Sequence, residues 1–206
     1  MKTSRPFSSI SYNTPDYLRV RLEELVSRRA VSFYAFISHK AEEDETKDHI
    51  HLYIVPNGSQ NTDDILDYLK EFTFSDPTRP LGCMPAKSSK FGDWALYSTH
   101  NALYLASKGQ SRRYSYTIDD MVTSNFDYFL EEWKNIDMSK LNRFFMLSTA
   151  VDEGIPFESL LSTGQIPIQQ IFAYEKAYQL LSGAYKTYRG DRETHSPNDK
   201  PPHLLK

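Results

Sequence analysis

A single cysteine, Cys83, stands among 206 residues. That excludes an internal disulfide framework and any zinc site built from a cysteine cluster. Long apolar runs are missing too: no stretch approaches about 18 hydrophobic residues, so no membrane-spanning helix is predicted. The opening segment MKTSRPFSSI lacks the apolar stretch of a secretory signal. These shortages lead to the expectation of a soluble, cytoplasmic protein with no membrane partner. What is present supports a packed core: 39% of residues are hydrophobic and 25% charged. The length suits one domain of ordinary size, or a core domain with a small helical appendage. Fourteen Tyr and twelve Phe are many for this length.

Basic residues are scarce in two segments and concentrated in two others. The net charge of −3 argues mildly against a polyanionic partner, but it averages over blocks. Residues 1–40 hold seven Lys/Arg against three acids, and residues 79–113 hold six against one. Residues 41–78 carry ten acids and two bases, and residues 114–160 nine acids and three bases. If the basic blocks converge on one face they form a footprint for nucleic acid; otherwise they are ordinary solvated faces.

Residues 6–12 alternate as a short strand, and Thr14-Pro15 opens a helix, with Pro at the first helical position where its missing N–H costs nothing. Leu18, Leu22, Leu25 and Val26 keep the helical period. The β-branched and aromatic runs 31–38 and 49–55 read as neighbouring strands, the second closed by Pro56-Asn57-Gly58. A helix is predicted over 63–72, capped by Asn61 or Thr62. Residues 74–92 are loop with one edge strand at most. One continuous helix is predicted over 93–107, with Asp93 as its cap and Gly109 as its stop. Further helices are predicted near 119–134, 139–149 and 167–187, and a loose tail over 189–206. The economical fold is α+β, a small antiparallel sheet with helices packed on it, followed by a C-terminal helical segment. The expected organisation is a domain over 1–135, a helical domain over 136–188, and the tail.

His49-Ile50-His51 is the strongest chemical signal. On a strand, residues i and i+2 share a face about 7 Å apart, so both imidazoles can face one cation while Ile50 and Leu52 enter the core. A pair of exposed strand histidines is the alternative. His39, at the end of the neighbouring strand, offers a third imidazole. The connection holds Glu42, Glu43, Asp44, Glu45 and Asp48, of which one is expected to supply an oxygen and the rest to face solvent. Such a mixed shell suits Mn²⁺ or Mg²⁺, or Zn²⁺ and Co²⁺. On the predicted helix 93–107, Tyr97, His100 and Tyr104 fall at i, i+3 and i+7, on one face, with Lys108 after them. Lys87, Lys90, Arg112 and Arg113 lie nearby in sequence as candidate DNA contacts. A phenol attacks phosphate only when its proton is withdrawn, and a cation beside the phosphate is the natural complement. An aromatic stripe at this spacing is otherwise ordinary core.

The run FYAFISHKAEEDETKDHIHLYIVP, with ALYSTHNALYLASKGQSRRYSYTIDDM downstream, resembles the HUH endonuclease superfamily, and within it the rolling-circle replication initiators of small Gram-positive plasmids. The resemblance spans about residues 5–120. It implies a divalent metal, Mn²⁺ or Mg²⁺, held by His39, Glu42, His49 and His51. Tyr97, in Tyr97-Ser98-Thr99-His100, is the implied nucleophile, and Tyr104 is second choice because it stands four residues before Lys108. Tyr114-Ser115-Tyr116 through Asp119-Asp120 matches the segment that follows in the family. The implied activity is nicking of single-stranded or hairpin origin DNA through a 5′-phosphotyrosine, handing a 3′-hydroxyl to the host helicase and polymerase. A homo-oligomer built by the C-terminal helices is a further expectation. Single-tyrosine transposases or relaxases are the rival within the chemistry. A non-catalytic RRM-like binder that stacks bases on Phe33, Tyr34 and Tyr53 is the rival outside it. Histidine-triad nucleotide hydrolases need a third alternate histidine where this chain has Tyr53.

Overall fold

The computed structural model describes residues 2–40, 48–70, 83–110, 112 and 114–194. The chain is α+β and divides into two units, residues 1–98 with 118–136, and residues 99–117 with 137–206. Residues 99–117, which the sequence pattern attached to the N-terminal domain, therefore group with the C-terminal helices.

The first unit is built on strands β1 (Lys2–Thr3), β2 (Phe7–Ser11), β3 (Val31–His39), β4 (His49–Pro56), β5 (Gln60–Asn61), β6 (Lys87–Ser88) and β7 (Val122–Thr123). Five of them form an antiparallel sheet in the order β6-β2-β4-β3-β7, and β1 pairs with β5 apart from it. The central pair β3–β4 is in register from Tyr34↔Ile54 to His39↔His49, with an irregularity between Val31 and Phe33. Cross-strand partners share a face, so this register decides which side chains meet.

One face of the sheet carries Phe7, Tyr34, Phe36, Ile50, Leu52 and Ile54. It is buried against Leu18, Leu22 and Leu25 of helix α1 (Pro15–Ser27) and Ile65 and Leu66 of helix α2 (Thr62–Tyr68). Each such fully buried aliphatic side chain contributes about 1.5–3 kcal/mol. Pro15 sits at the start of α1 as the sequence predicts. Asn61 caps α2, its side chain accepting from the Asp63 N–H at 3.3 Å. The end of α1 is unusual: Arg29 adopts φ +57, a left-handed conformation normally given to glycine.

The opposite face carries Ala35, Ile37 and Tyr53 and is covered by helices α3 (Phe91–Ser98) and α5 (Phe126–Lys134). Tyr53 packs on Phe91 and Trp94 at ring distances of 5.6 and 5.2 Å, Phe91 on Phe129 at 5.4 Å, and Phe33 on Tyr128 at 4.7 Å.

The second unit packs helices α4 (Ala102–Ser107), α6 (Asn142–Asp152), α7 (Phe157–Ser162) and α8 (Ile171–Thr194) around Leu105, Phe144, Leu147, Leu160, Ala177 and Leu181. Phe144 stacks on Tyr174 at 5.8 Å, and the Tyr178 hydroxyl donates to the Ile155 carbonyl at 2.7 Å.

Four sequence expectations are corrected. The continuous helix 93–107 is two helices, because His100 takes φ +53 and the Asn101 side chain caps the second by accepting from the Tyr104 N–H at 3.0 Å. Its first helix begins at Phe91, so Asp93 lies in the first turn rather than at the cap. The helix 119–134 is a 3-10 turn, the edge strand β7 and the shorter α5. Helix α8 runs to Thr194, so residues 189–194 are helical, and 195–206 lie outside the described residues. Gly109 does stop α4 at φ +67, where the Gly109 and Gln110 N–H groups bond back to Ala106 and Leu105 at 2.9 Å.

Candidate metal centre

His39 ends β3, and His49 opens β4 directly opposite it. His51, two residues on, points to the same face, and its cross-strand partner is Ile37. Alternation thus brings three imidazoles to one end of the sheet, on the face that α3 covers. His39 is 3% exposed and His51 8%, and His49 is half-buried. Buried imidazoles need partners for their ring nitrogens: His49 and His51 meet each other, and His39 meets the Ser98 carbonyl. The ligand atoms of the three lie within 4.8 Å of each other, with His49 Nε2 3.1 Å from His51 Nε2. The rings stand 4.3–5.4 Å apart, tilted or edge to face.

This donor set fits a divalent cation. Two nitrogens 3.1 Å apart that each approach a shared ion at about 2.1 Å subtend roughly 95° there. Neutral imidazoles are common ligands for first-row divalent metals. His39 Nε2 also lies 2.6 Å from the Ser98 carbonyl. A carbonyl only accepts, so that nitrogen carries the proton and Nδ1 is left with the lone pair. A backbone carbonyl holding the far N–H of a ligand imidazole is the usual way its tautomer and orientation are fixed.

Ser98 ends α3, and one residue before it Tyr97 sets its ring 5.4 Å from His51, edge on and half-buried. On the other flank Tyr12, just past β2, lies 6.5 Å from His49. Sequence reading placed Tyr12 in a strand but did not connect it to the histidines. Its position follows from the β2–β4 register, in which Ile10 faces His51. The Ser98 carbonyl is a backbone group and leaves no trace in residue identity.

Of the residues singled out in the sequence, His39, His49, His51 and Tyr97 come together in the first unit. Glu42 and Arg113 lie outside the described residues. Tyr104 does not share a helix face with Tyr97: it belongs to the second unit, 9% exposed, with the Lys108 ammonium 5.1 Å from its ring centroid. His100 is in that unit as well, its Nδ1 2.6 Å from the Tyr114 carbonyl and its ring 5.3 Å from Tyr116. Lys87 and Lys90 are exposed in the first unit, Lys108 and Arg112 in the second. Phe33, Tyr34 and Tyr53 are 4%, 1% and 4% exposed, so no open aromatic platform exists there for stacked bases.

No described helix is long and apolar enough to cross a membrane. Comparison with protein-family models, with curated proteins and with solved structures finds no match.

Proposed function

We propose that this chain is a metal-dependent, site-specific DNA-nicking and joining enzyme of the HUH type, acting as an initiator of rolling-circle replication. One observation carries the reading: a half-buried phenol, Tyr97, stands 5.4 Å from one imidazole of a three-histidine cluster suited to a divalent cation. The order of the motifs along the chain supports it. His39, His49 and His51 would hold the ion, with Glu42 the oxygen ligand that the resemblance implies. A divalent cation held there would supply Lewis-acid polarisation of a phosphate's oxygens and stabilise the charge that develops on them.

The residues of the chain do the rest. Tyr97 Oη attacks the phosphorus of one DNA strand. The Oη–P bond forms as the P–O3′ bond breaks, and the phenolic proton ends on the departing 3′ oxygen. The 5′ end stays on the protein as a phosphotyrosine, which keeps the energy of the phosphodiester for rejoining. The 3′-hydroxyl is then the primer for a host polymerase. The Ser98 carbonyl holds His39 in place one residue from the nucleophile, so ligand and attacking group are positioned by the same helix end.

Labelled single-stranded or hairpin DNA incubated with the protein and Mn²⁺ should give a covalent band, and EDTA should abolish it. Tyr97→Phe should bind the DNA and form no band, whereas Tyr104→Phe should cleave normally. Full cleavage in EDTA, or a Tyr97→Phe protein that cuts at the wild-type rate, would refute the reading.

A further inference from the structure

Strand β2 has one closed face and one half-open face. Phe7, Ser9 and Ser11 are buried, whereas Ser8, Ile10 and the following Tyr12 are only half-buried. The pairing fixes where that half-open row lies: Ser8 is opposite Tyr53 and Ile10 opposite His51, on the face that carries the histidines. Tyr12 closes the row beside His49, with 6.5 Å between ring centroids. On its other side the row continues to the sheet edge, where Ser8 pairs with the exposed Lys87. From Ser8 to Tyr12 the row is about 13 Å long. It thus joins an aromatic ring at the metal centre, an aliphatic side chain, a hydroxyl and an edge ammonium. Helix α3 covers the adjacent row on β4, where Tyr53 lies under Phe91 and Trp94, whereas the β2 row stays half-buried.

We infer that the row Tyr12–Ile10–Ser8–Lys87 is the track for a single DNA strand, with Tyr12 stacking on a base beside the scissile phosphate and Lys87 pairing a phosphate farther along. The inference rests on the nicking reading for its occupant. Two features favour a single strand. The row is continuous with the centre where the phosphate must sit. It also combines a ring with a separate cation, the pairing that sequence-tolerant binding of single strands uses. Tyr12 is therefore a positioning residue on the flank opposite Tyr97, and it leaves the attack on phosphorus to Tyr97.

Anisotropy of a fluorescein-labelled oligothymidylate, measured in EDTA so that no cleavage occurs, tests the track separately from the chemistry. Tyr12→Ala should weaken binding about tenfold, Tyr12→Phe should restore it, and Tyr12→Trp should bind at least as tightly as wild type. Lys87→Ala should lower the log–log salt slope by about 0.7, the contribution of one phosphate contact on a single strand. Circular dichroism identifies a Tyr12→Ala protein that fails to fold, and the Phe and Trp variants then carry the comparison. Wild-type binding by Tyr12→Ala overturns the inference, as does a Tyr12→Phe protein that binds no better than a folded Tyr12→Ala or, where that variant does not fold, more weakly than wild type. A wild-type protein that binds the strand but gives no covalent band with the labelled single-stranded or hairpin DNA and Mn²⁺ overturns the nicking reading and leaves the track standing. A wild-type protein that does not bind the strand overturns the track, and the covalent-band assay decides the nicking reading separately.

Discussion

His51→Ala tests the metal centre most directly. Its Nε2 lies 3.1 Å from that of His49 and its ring 4.3 Å from that of His39, so its removal takes one of three converging ligands. A ligand that binds only the folded chain stabilises it by RT ln(1 + [L]/Kd), which is about 2.7 kcal/mol when Mn²⁺ is present at a hundred times its Kd. For a chain of this size each kcal/mol raises the melting temperature by about 2–4 °C, so wild type should gain roughly 5–11 °C. Losing even an outer partner of a metal ligand costs about 10–100-fold in affinity, and a direct ligand should cost at least the upper figure. At the same Mn²⁺ concentration the variant then keeps about 0.4 kcal/mol, a shift of roughly 1–2 °C. Differential scanning fluorimetry with and without Mn²⁺, in matched ionic strength, reads both numbers. His51→Ala should lose the metal-dependent shift while retaining a cooperative transition in EDTA. Equal Mn²⁺ shifts in the two proteins would refute the assignment of these imidazoles to one ion.

Two further predictions concern the fold of the first unit. Arg29 occupies the left-handed position after α1, with its N–H and that of Ala30 bonded back to Val26 and Leu25 at 2.9 Å. Since an L side chain costs about 1–2 kcal/mol there, Arg29→Gly should raise the urea midpoint; an unchanged or lower midpoint would contradict this. Burial pushes the Cys83 thiol above its ordinary range, outweighing opposite effects of Ser11 and Lys70. The thiolate fraction near pH 8 is therefore smaller than in a free thiol, and alkylation should be slow there and accelerate only at higher pH. Labelling of the folded protein at the free-thiol rate near pH 8 would contradict that environment.

Much of the architecture is legible in local pattern. Alternation puts His49 and His51 on one face and Ile50 and Leu52 on the other, and the structure buries Ile50 and Leu52 with α1. Thr14-Pro15 opens α1 and Gly109 ends α4 because those positions need a fixed or a left-handed φ. Periodicity misreads residues 93–107, where an unbroken apolar pattern hides the break at His100 and the cap from Asn101. Short strands such as Val122–Thr123 are hidden as well, since two residues at a sheet edge carry no period.

From the sequence alone came the residue types of the centre and the face each strand histidine takes, because a strand's side-chain period is two and needs no distant contact. Tertiary structure decided what that period cannot reach. The β3–β4 register set His39 opposite His49. The end of α3 brought the Ser98 carbonyl to His39 and Tyr97 to His51. The β2–β4 pairing placed Tyr12 on the opposite flank. These are meetings of segments far apart in the chain, fixed by which surfaces bury against one another, and no local spacing of residues encodes them.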